Sequence, residues 1–425
     1  MTEPLREIRD GYLIPLSFGT PPQVVQVYMD TGSDLTWVPC ININRSVFDC
    51  IECDDNTNIF LKKNILFSPS HSTSSLNDSC ASPYCIDIHS SDNFYDPCAI
   101  SGCSLTDLMK FTCFKPCPTF SYTYGDDKVI VGTLSKDVLG VHGIGNNAGV
   151  MEIPKFRFGC VSATYGEPIG IAGFGRGSLS ILSQLGFLQK GFSHCFLPFK
   201  FSNNPNISSP LVIGERAIAS KDHLHFTPML KSPKDSNLYY VGLESISVGN
   251  FTSPLKIKDV PQSLKELDAQ GNGGMLMDSG TTYTHLPPPL YTQLLTALKL
   301  IISYPRAIEI EARSGFDLCY TIPCVINNCY NDDRLPTITF HFLNNVDLVL
   351  PKENCFYAMR APSNSSVVKC LLIQNMEDGE YGPAGVFGSF QQQNVEVVYD
   401  LNKERVGFQV TDCAQSAATQ GLHTA

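Results

Sequence analysis

Two short segments, far apart in the chain, each place an aspartate where it could take part in proton transfer. In the first, an apolar run leads directly into Asp30-Thr31-Gly32-Ser33. In the second, a similar run leads into Asp278-Ser279-Gly280-Thr281. Each run predicts a buried strand, and each Asp-[Thr/Ser]-Gly predicts a tight turn. A carboxylate at the end of a buried strand is costly unless it is hydrogen-bonded or paired.

The repetition of this pattern favours chemistry over simple turn formation. A single copy would most often be an Asx-turn that ends a strand. Two copies, one in each half of the chain, indicate similar halves that can face each other. Two facing carboxylates cannot both ionise, so they share one proton. The ionised aspartate can then activate a water molecule while the protonated one stabilises the developing oxyanion.

Other catalytic schemes find less support in the sequence. The nine histidines are scattered, without an HExxH motif, and no serine lies in a GxSxG motif. His285 follows Asp278 closely but is interpreted as a strand residue and not as a base. The glycine-rich segment 173–177 precedes only a short helix, predicted from Ser178 to Leu185, so a nucleotide site is not favoured. No cofactor and no metal are predicted.

Length and composition indicate the elements that must position these aspartates. A chain of 425 residues predicts two domains of roughly 200 residues each. Its 32 glycines and 28 prolines, among many Val, Ile, Phe and Tyr, favour short strands and many turns. A net charge of −11 without a basic run makes nucleic acid and anionic membranes poor partners. No apolar run is long enough for a membrane span.

Seventeen cysteines predict an oxidising compartment, and nine of them lie within residues 40–117 among Ser, Asn and Asp. This segment is predicted to be a disulfide-stapled insertion. A zinc site is the alternative that Cys50-x-x-Cys53 raises, but the second close pair that a zinc ribbon needs fits only loosely. The odd count implies at least one free or intermolecular thiol. The disulfide candidates are Cys40, Cys50, Cys53, Cys80, Cys85, Cys98, Cys103, Cys113, Cys117, Cys319, Cys355, Cys370 and Cys413. Glycosylation sequons begin at Asn44, Asn77, Asn206, Asn250 and Asn364.

Strand patterns continue along the chain. Residues 11–18 and 24–30 predict the first two strands, and residues 119–139 predict a β-hairpin with an aromatic face. Residues 199–210 are polar and predict the domain boundary, so the domains are taken as residues 11–203 and 204–413. In the second domain, a helix is predicted over residues 289–302 on its apolar spacing. The last predicted strands cover residues 337–342, 346–350, 367–374, 385–387, 395–400 and 405–410.

These motifs together resemble the pepsin-type aspartic proteases over about residues 11–413. The resemblance rests on both Asp motifs, on Trp37-Val38-Pro39 and on Tyr124-Gly125. The cysteine-rich insertion and the segment Phe390-Gln391-Gln392-Gln393-Asn394 are similar to the plant nepenthesin-like branch. The resemblance implies an all-β, bilobal double β-barrel with a central active-site cleft and a few short helices.

The resemblance also implies roles for individual residues. Asp30 and Asp278 would carry catalysis, and Ser33 and Thr281 would orient their carboxylates. Thr31 and Ser279 match hydroxyls that cross-link the two motif loops, which Gly32 and Gly280 help to shape. Tyr124 and Gly125 match the flap that closes over substrate, and Trp37 the indole that hydrogen-bonds the flap tyrosine. The flap departs from the usual Tyr-Gly-Asp-Gly-Ser: it reads Tyr124-Gly125-Asp126-Asp127-Lys128. Asp127 stands in place of a glycine and predicts a stiffer or differently aimed tip.

The function expected is an aspartic endopeptidase that works in acid on extended peptides and is inhibited by pepstatin-like compounds. A monomer is expected, secreted to the apoplast or held in the vacuole, although residues 1–10 are polar and are no signal peptide. The alternatives are a non-catalytic pepsin-fold inhibitor or binding protein of the plant cell wall, and a disulfide-rich adhesion module. Subsite preference, activation route and disulfide connectivity are not readable from the sequence.

Overall fold

The chain divides into two compact units, described here one at a time. The computed structural model describes residues 2–8, 11–41, 48–53, 66–90, 96–143, 149–201, 204, 207–219, 221, 224–233, 236–249, 254–257, 259–323, 335–360, 366–376 and 382–419. Unit 1 comprises Met1–Arg6 and Tyr12–Leu188, and unit 2 comprises Glu7–Gly11 and Gln189–Ala425. The change of unit at Leu188 precedes the polar segment 199–210 that the sequence analysis took as the boundary.

Strands dominate the first unit. They are β1 (Thr2–Ile8), β2 (Gly11–Phe18), β3 (Gln23–Asp30), β4 (Trp37–Pro39), β5 (Asp49–Ile51), β6 (Leu76–Asn77), β7 (Phe120–Thr123), β8 (Val129–His142), β9 (Val150–Tyr165) and β10 (Gly170–Gly173). The last two residues of β1 and the first residue of β2 belong to unit 2. The predicted strands over residues 11–18 and 24–30 and the predicted hairpin are confirmed. Side chains alternate along β3 between buried and half-buried, as a strand with one face on the core requires.

The register of three strands brings a glycine beside Asp30. Strand β10 runs parallel to β3, with Gly173 opposite Asp30. The same strand pairs antiparallel with β4, where Ile171 lies opposite Trp37. The long β8–β9 hairpin and the shorter β7–β8 hairpin extend this sheet. Phe18 and Phe158, whose ring centroids are 4.8 Å apart, belong to its aromatic core.

The cysteine-rich segment forms short helices held together by disulfides. The helices are α1 (Pro83–Ile88), α2 (Pro97–Ile100) and α3 (Leu105–Lys110), and α4 (Ile181–Gln184) follows later in the unit. Serine hydroxyls cap α1 and α3, and proline occupies the first turn of α1 and α2. The helix predicted from Ser178 is shorter than expected, because the hydroxyl that caps it belongs to Ser180. The disulfides are Cys40–Cys160, Cys50–Cys53, Cys80–Cys98, Cys85–Cys117 and Cys103–Cys113.

The second unit is also built mainly of strands. They are β11 (Phe192–Cys195), β12 (Ser209–Ile213), β13 (Phe226–Leu230), β14 (Tyr240–Val241), β15 (Leu243–Gly249), β16 (Leu255–Ile257), β17 (Met275–Met277), β18 (His285–Leu286), β19 (Cys319–Pro323), β20 (Thr337–Phe342), β21 (Val346–Val349), β22 (Phe356–Arg360), β23 (Ser366–Leu371), β24 (Gln374–Asn375), β25 (Gly385–Phe387), β26 (Val395–Asp400) and β27 (Arg405–Val410). The expectation of an all-β protein with a few short helices is confirmed.

The strand that leads to Asp278 pairs with one strand on each side. Strand β17 runs parallel to β25 and antiparallel to β14. Strands β16, β15, β20 and β21 form a separate four-stranded sheet, and β19, β23 and β22 a three-stranded one. The helices of this unit are α5 (Gln262–Lys265), α6 (Pro288–Ile301), α7 (Ile308–Ser314), α8 (Lys352–Cys355) and α9 (Cys413–Thr419). Helix α6 confirms the helix predicted near residues 289–302, and it buries Leu290, Leu294 and Leu298 on one face.

Cysteine pairing corrects one of the predicted disulfide candidates. Cys355 has no disulfide partner and is buried at the end of α8. Cys370 lies directly opposite Cys319 in the β19–β23 pair and is bonded to it. Conversely, Cys160 and Cys195 were not among the candidates, yet they pair with Cys40 and Cys413. Within the described ranges, no helix is both long and apolar enough to cross a membrane.

Candidate active site

Asp30 lies at the end of β3 inside a loop that hydrogen-bonds its carboxylate twice. The backbone N–H of Gly32 donates to Asp30 Oδ1 at 2.8 Å, and the Ser33 hydroxyl donates to Oδ2. The residue is only 6% exposed. Because a buried carboxylate needs such donors, the loop holds Asp30 in one orientation.

Asp278 follows β17 in a loop of the same construction. The N–H of Gly280 donates to Asp278 Oδ1 at 2.8 Å, and the Thr281 hydroxyl donates to Oδ2 at 2.6 Å. The N–H of Thr281 adds a third contact to Oδ1 at 3.2 Å. Asp278 is half-buried. In each unit, therefore, one carboxylate oxygen is bonded by the glycine two residues on and the other by the hydroxyl three residues on.

A close backbone approach supports both loops. Gly173 lies beside Asp30, and a Cβ built there would lie 2.2 Å from the Asp34 carbonyl oxygen. Gly388 follows β25 in unit 2, and a Cβ built there would lie 2.4 Å from the Tyr283 carbonyl carbon. Only glycine fits such contacts. Gly173 and Gly388 thus allow the backbone to pass close behind the two Asp loops.

Thr31 and Ser279, the residues directly after the two aspartates, are fully buried. Neither side chain is therefore available to solvent. The cross-linking role that the resemblance implies for them stays a prediction.

The predicted flap tyrosine is hydrogen-bonded to the tryptophan. Trp37 Nε1 donates to the Tyr124 hydroxyl at 2.7 Å, and Tyr122 packs edge-on against Tyr124. Burial raises the pKa of Tyr124 well above its ordinary value, with smaller contributions from Tyr122 and Asp30. Trp37 is fully buried and also belongs to the core of unit 1. Both interpretations of this tryptophan, as core and as hydrogen-bond donor, therefore hold.

Comparison with known proteins decides the family. Two family models match, one described as xylanase inhibitor N-terminal over residues 12–215 and one as xylanase inhibitor C-terminal over residues 238–410. A protein named a probable aspartyl protease in Arabidopsis thaliana is 35% identical over 442 residues, covering 95% of this chain and 82% of the relative. The chain belongs to the pepsin-like aspartic protease family.

A second relative and two solved structures match over similar lengths. The aspartic proteinase nepenthesin-1 of Nepenthes gracilis is 30% identical over 412 residues, which are 96% of this chain and 79% of that protein. Among solved structures, conglutin gamma from lupine seeds superposes with a TM-score of 0.66 at 17% identity, covering 98% of this chain and 97% of the other. The structure named edgp gives a TM-score of 0.67 at 17% identity, covering 100% and 98%. At such identity the structures establish the pepsin-like fold alone.

Sequence reasoning missed the buried polar side chains that brace the Asp278 loop of this pepsin-like chain. Gln391 Oε1 accepts the N–H of Thr284 at 2.8 Å, while its Nε2 donates to the Asn354 carbonyl at 2.7 Å. The Thr284 hydroxyl accepts the N–H of Gly388 at 3.1 Å. The run of three glutamines beside an apolar-Gly segment was the available signal, and it was used only as a family marker.

The remaining candidate residues of the sequence analysis do not bond to the two aspartates in any contact that the structure shows among its described residues. His285 lies in β18, as expected for a strand residue, and burial lowers its pKa. Cys50 and Cys53 are bonded to each other, so their spacing reflects a disulfide and not a zinc ribbon. Asn77 is exposed at the end of β6. The sequons at Asn44, Asn206, Asn250 and Asn364 lie outside the described residues.

Proposed function

We propose that this chain is an aspartic endopeptidase in which Asp30 and Asp278 act as a catalytic pair. One observation carries the proposal: the two Asp loops are built alike, with a glycine N–H on one carboxylate oxygen and a hydroxyl on the other. The protease names of the sequence relatives agree with it.

The proposed mechanism uses a single proton shared by the two carboxylates, since like charges at close range cannot both ionise. The ionised aspartate removes a proton from a water molecule, which attacks the peptide carbonyl. The protonated aspartate donates a hydrogen bond to the oxyanion and then helps to protonate the leaving amine. Ser33 and Thr281 keep the two carboxylates oriented, because each donates to an oxygen of its aspartate.

The proposed substrates are proteins and peptides in extended conformation, bound in a cleft by backbone hydrogen bonds. Tyr124 and Gly125 belong to the hairpin that would cover them. Because the shared proton must be retained, activity is expected in acid, with inhibition by pepstatin-like compounds. The disulfides fit an oxidising compartment, so we place the enzyme in the apoplast or the vacuole.

The test is hydrolysis of a denatured protein at pH 3–4 with and without pepstatin, comparing the unmodified chain with Asp278→Asn. We expect pepstatin-sensitive cleavage that falls at least about 10³-fold in the variant, since the water loses its base. Asp259→Asn is the matched control, because Asp259 is exposed in the same unit. Cleavage that resists pepstatin, or that survives in Asp278→Asn, would refute the proposed pair.

The family models favour a second candidate, since both are described as xylanase inhibitor domains. On this alternative the chain binds and inhibits a xylanase without cleaving protein. Inhibition of a xylanase by a folded preparation that releases no peptides at any acid pH would favour the inhibitor over the protease.

A further inference from the structure

The turn of the Tyr124 hairpin carries a lysine that reaches a buried glutamate. Lys128 Nζ lies 3.2 Å from Glu167 Oε2 and 3.0 Å from Asp126 Oδ2. The Glu167 side chain is 9% exposed, whereas that of Asp126 is 57% exposed. The Lys128 side chain is itself 37% exposed, so only the Glu167 end of the pair is buried. Because solvent screens a charge pair less when one partner is buried, the contact with Glu167 constrains the turn more than the contact with Asp126.

Glu167 connects the hairpin to the strand that supports Asp30. It lies between β9 and β10, and its Oε1 accepts the N–H of Ile169 at 3.0 Å. Strand β10 begins at Gly170 and runs parallel to β3 as far as Asp30. One carboxylate oxygen of Glu167 is therefore tied to the support of the Asp30 loop, and the other to the hairpin turn.

The turn of the hairpin is held by its own backbone hydrogen bonds. Asp127 has a φ of 63°, so it takes the left-handed conformation that glycine takes more readily. The N–H of Tyr124 donates to the Lys128 carbonyl at 2.9 Å, and that of Asp127 to the Tyr124 carbonyl at 3.1 Å. The substitution that matters is thus Lys128, because its side chain makes the contact outside the turn.

The charge on Glu167 depends on pH. Burial raises its pKa, and the attraction of Lys128 opposes this shift without cancelling it. Lys128 has a raised pKa because the carboxylates of Glu167 and Asp126 outweigh its own burial, so it stays charged throughout the acid range. The groups that face this pair are Asp126 and the neutral phenol of Tyr124. On acidification Glu167 therefore takes up a proton earlier than an ordinary glutamate, and the ion pair is lost.

We infer that Lys128 and Glu167 are positioning residues that latch the Tyr124 hairpin: the ionised bridge holds Tyr124 beside Trp37, and a neutral Glu167 frees the turn. Opening for a peptide rests on the proposed protease function, while the latch itself does not. The hairpin would then be held closed near neutral pH and become mobile in acid, where the proposed enzyme works.

The single tryptophan of the chain reports on the latch directly, because Trp37 donates its hydrogen bond to Tyr124. We would follow Trp37 fluorescence from pH 7.5 to pH 3.5 in an Asp278→Asn background, which limits self-digestion, with circular dichroism to confirm folding. The Trp37 fluorescence of the parent protein should show a transition with pH. The Glu167→Gln variant should lack this transition and give the parent's acid signal at every pH. Asp126→Asn is the matched control and should keep the transition. Asp30 also faces Tyr124 and is present in every variant, so the difference between the parent and Glu167→Gln curves is the quantity that reports on Glu167.

Two outcomes would overturn the latch: a Glu167→Gln protein that titrates like the parent, or a parent whose Trp37 signal does not change with pH while the fold stays intact.

A second measurement uses active protein at pH 6, where Glu167→Gln and Lys128→Met should both raise kcat/KM several-fold, mainly through KM. If no variant cleaves peptide, the protease proposal fails while the fluorescence result still decides the latch. If cleavage is normal and the fluorescence curves coincide, the latch alone is wrong.

Discussion

Replacing His194 by phenylalanine is expected to stabilise unit 2 in acid and to leave its stability near neutral pH little changed. His194 lies in β11 and is 1% exposed. Its ring stacks on Phe196 with centroids 3.9 Å apart, and neither ring nitrogen has a hydrogen-bond partner among the described residues. Burial without a partner lowers the pKa of His194 from 6.5 to about 3.

The sign and size of the effect follow from proton linkage. Below pH 6.5 this histidine becomes protonated in the unfolded chain, whereas folded His194 stays neutral down to about pH 3. The free energy of unfolding therefore falls as the pH falls through this window. pH 4 lies about 2.5 units below the pKa of the unfolded histidine, and each unit costs about 1.36 kcal/mol. At pH 4 His194 therefore lowers the free energy of unfolding by about 3 kcal/mol. For a unit of this size, that corresponds to a rise in Tm of roughly 6–12 °C.

The assay is thermal or urea unfolding of His194→Phe and the parent protein at pH 4 and pH 7.5. Any misfit of the larger ring acts at both pH values, so the pH-dependent part of the gain is the quantity to compare. His225→Phe is the control, because His225 is exposed in the same unit. Equal effects at the two pH values would refute the reasoning. If the gain appears, unit 2 sets a lower limit to the pH at which the proposed enzyme stays folded.

Two further predictions test the packing. Gly173→Ala places a Cβ 2.2 Å from the Asp34 carbonyl oxygen and should destabilise unit 1 by about 1–3 kcal/mol in urea unfolding. A Cβ at Gly125 meets nothing within 4 Å, so Gly125→Ala should change the free energy of unfolding by less than about 1 kcal/mol. Similar losses for both variants would contradict the close approach. Burial raises the pKa of the Cys355 thiol to about 12, so iodoacetamide should label Cys355 only after denaturation, and rapid labelling of the native protein would show that the thiol is accessible.

The sequence alone determined most of the strands and the local form of both Asp loops. These features depend on neighbours within a few residues: an apolar run that ends at Asp30 or Asp278, then a glycine N–H and a hydroxyl that reach back to the carboxylate. The hairpin was equally local, since its tyrosines alternate with polar residues and its turn carries Gly125.

What the sequence left open was decided by residues distant along the chain. Cys40 pairs with Cys160, 120 residues later, and Cys370 pairs with Cys319, which faces it across the β19–β23 pair. Cys355 has no disulfide partner among the described residues. Lys128 forms its ion pair with Glu167, which lies 39 residues later in the chain, and no local sequence pattern predicts that Glu167 is buried. His194 reads as an ordinary strand residue until its neighbours leave both ring nitrogens without partners. Such contacts depend on register and packing between elements, so only the tertiary structure could decide them.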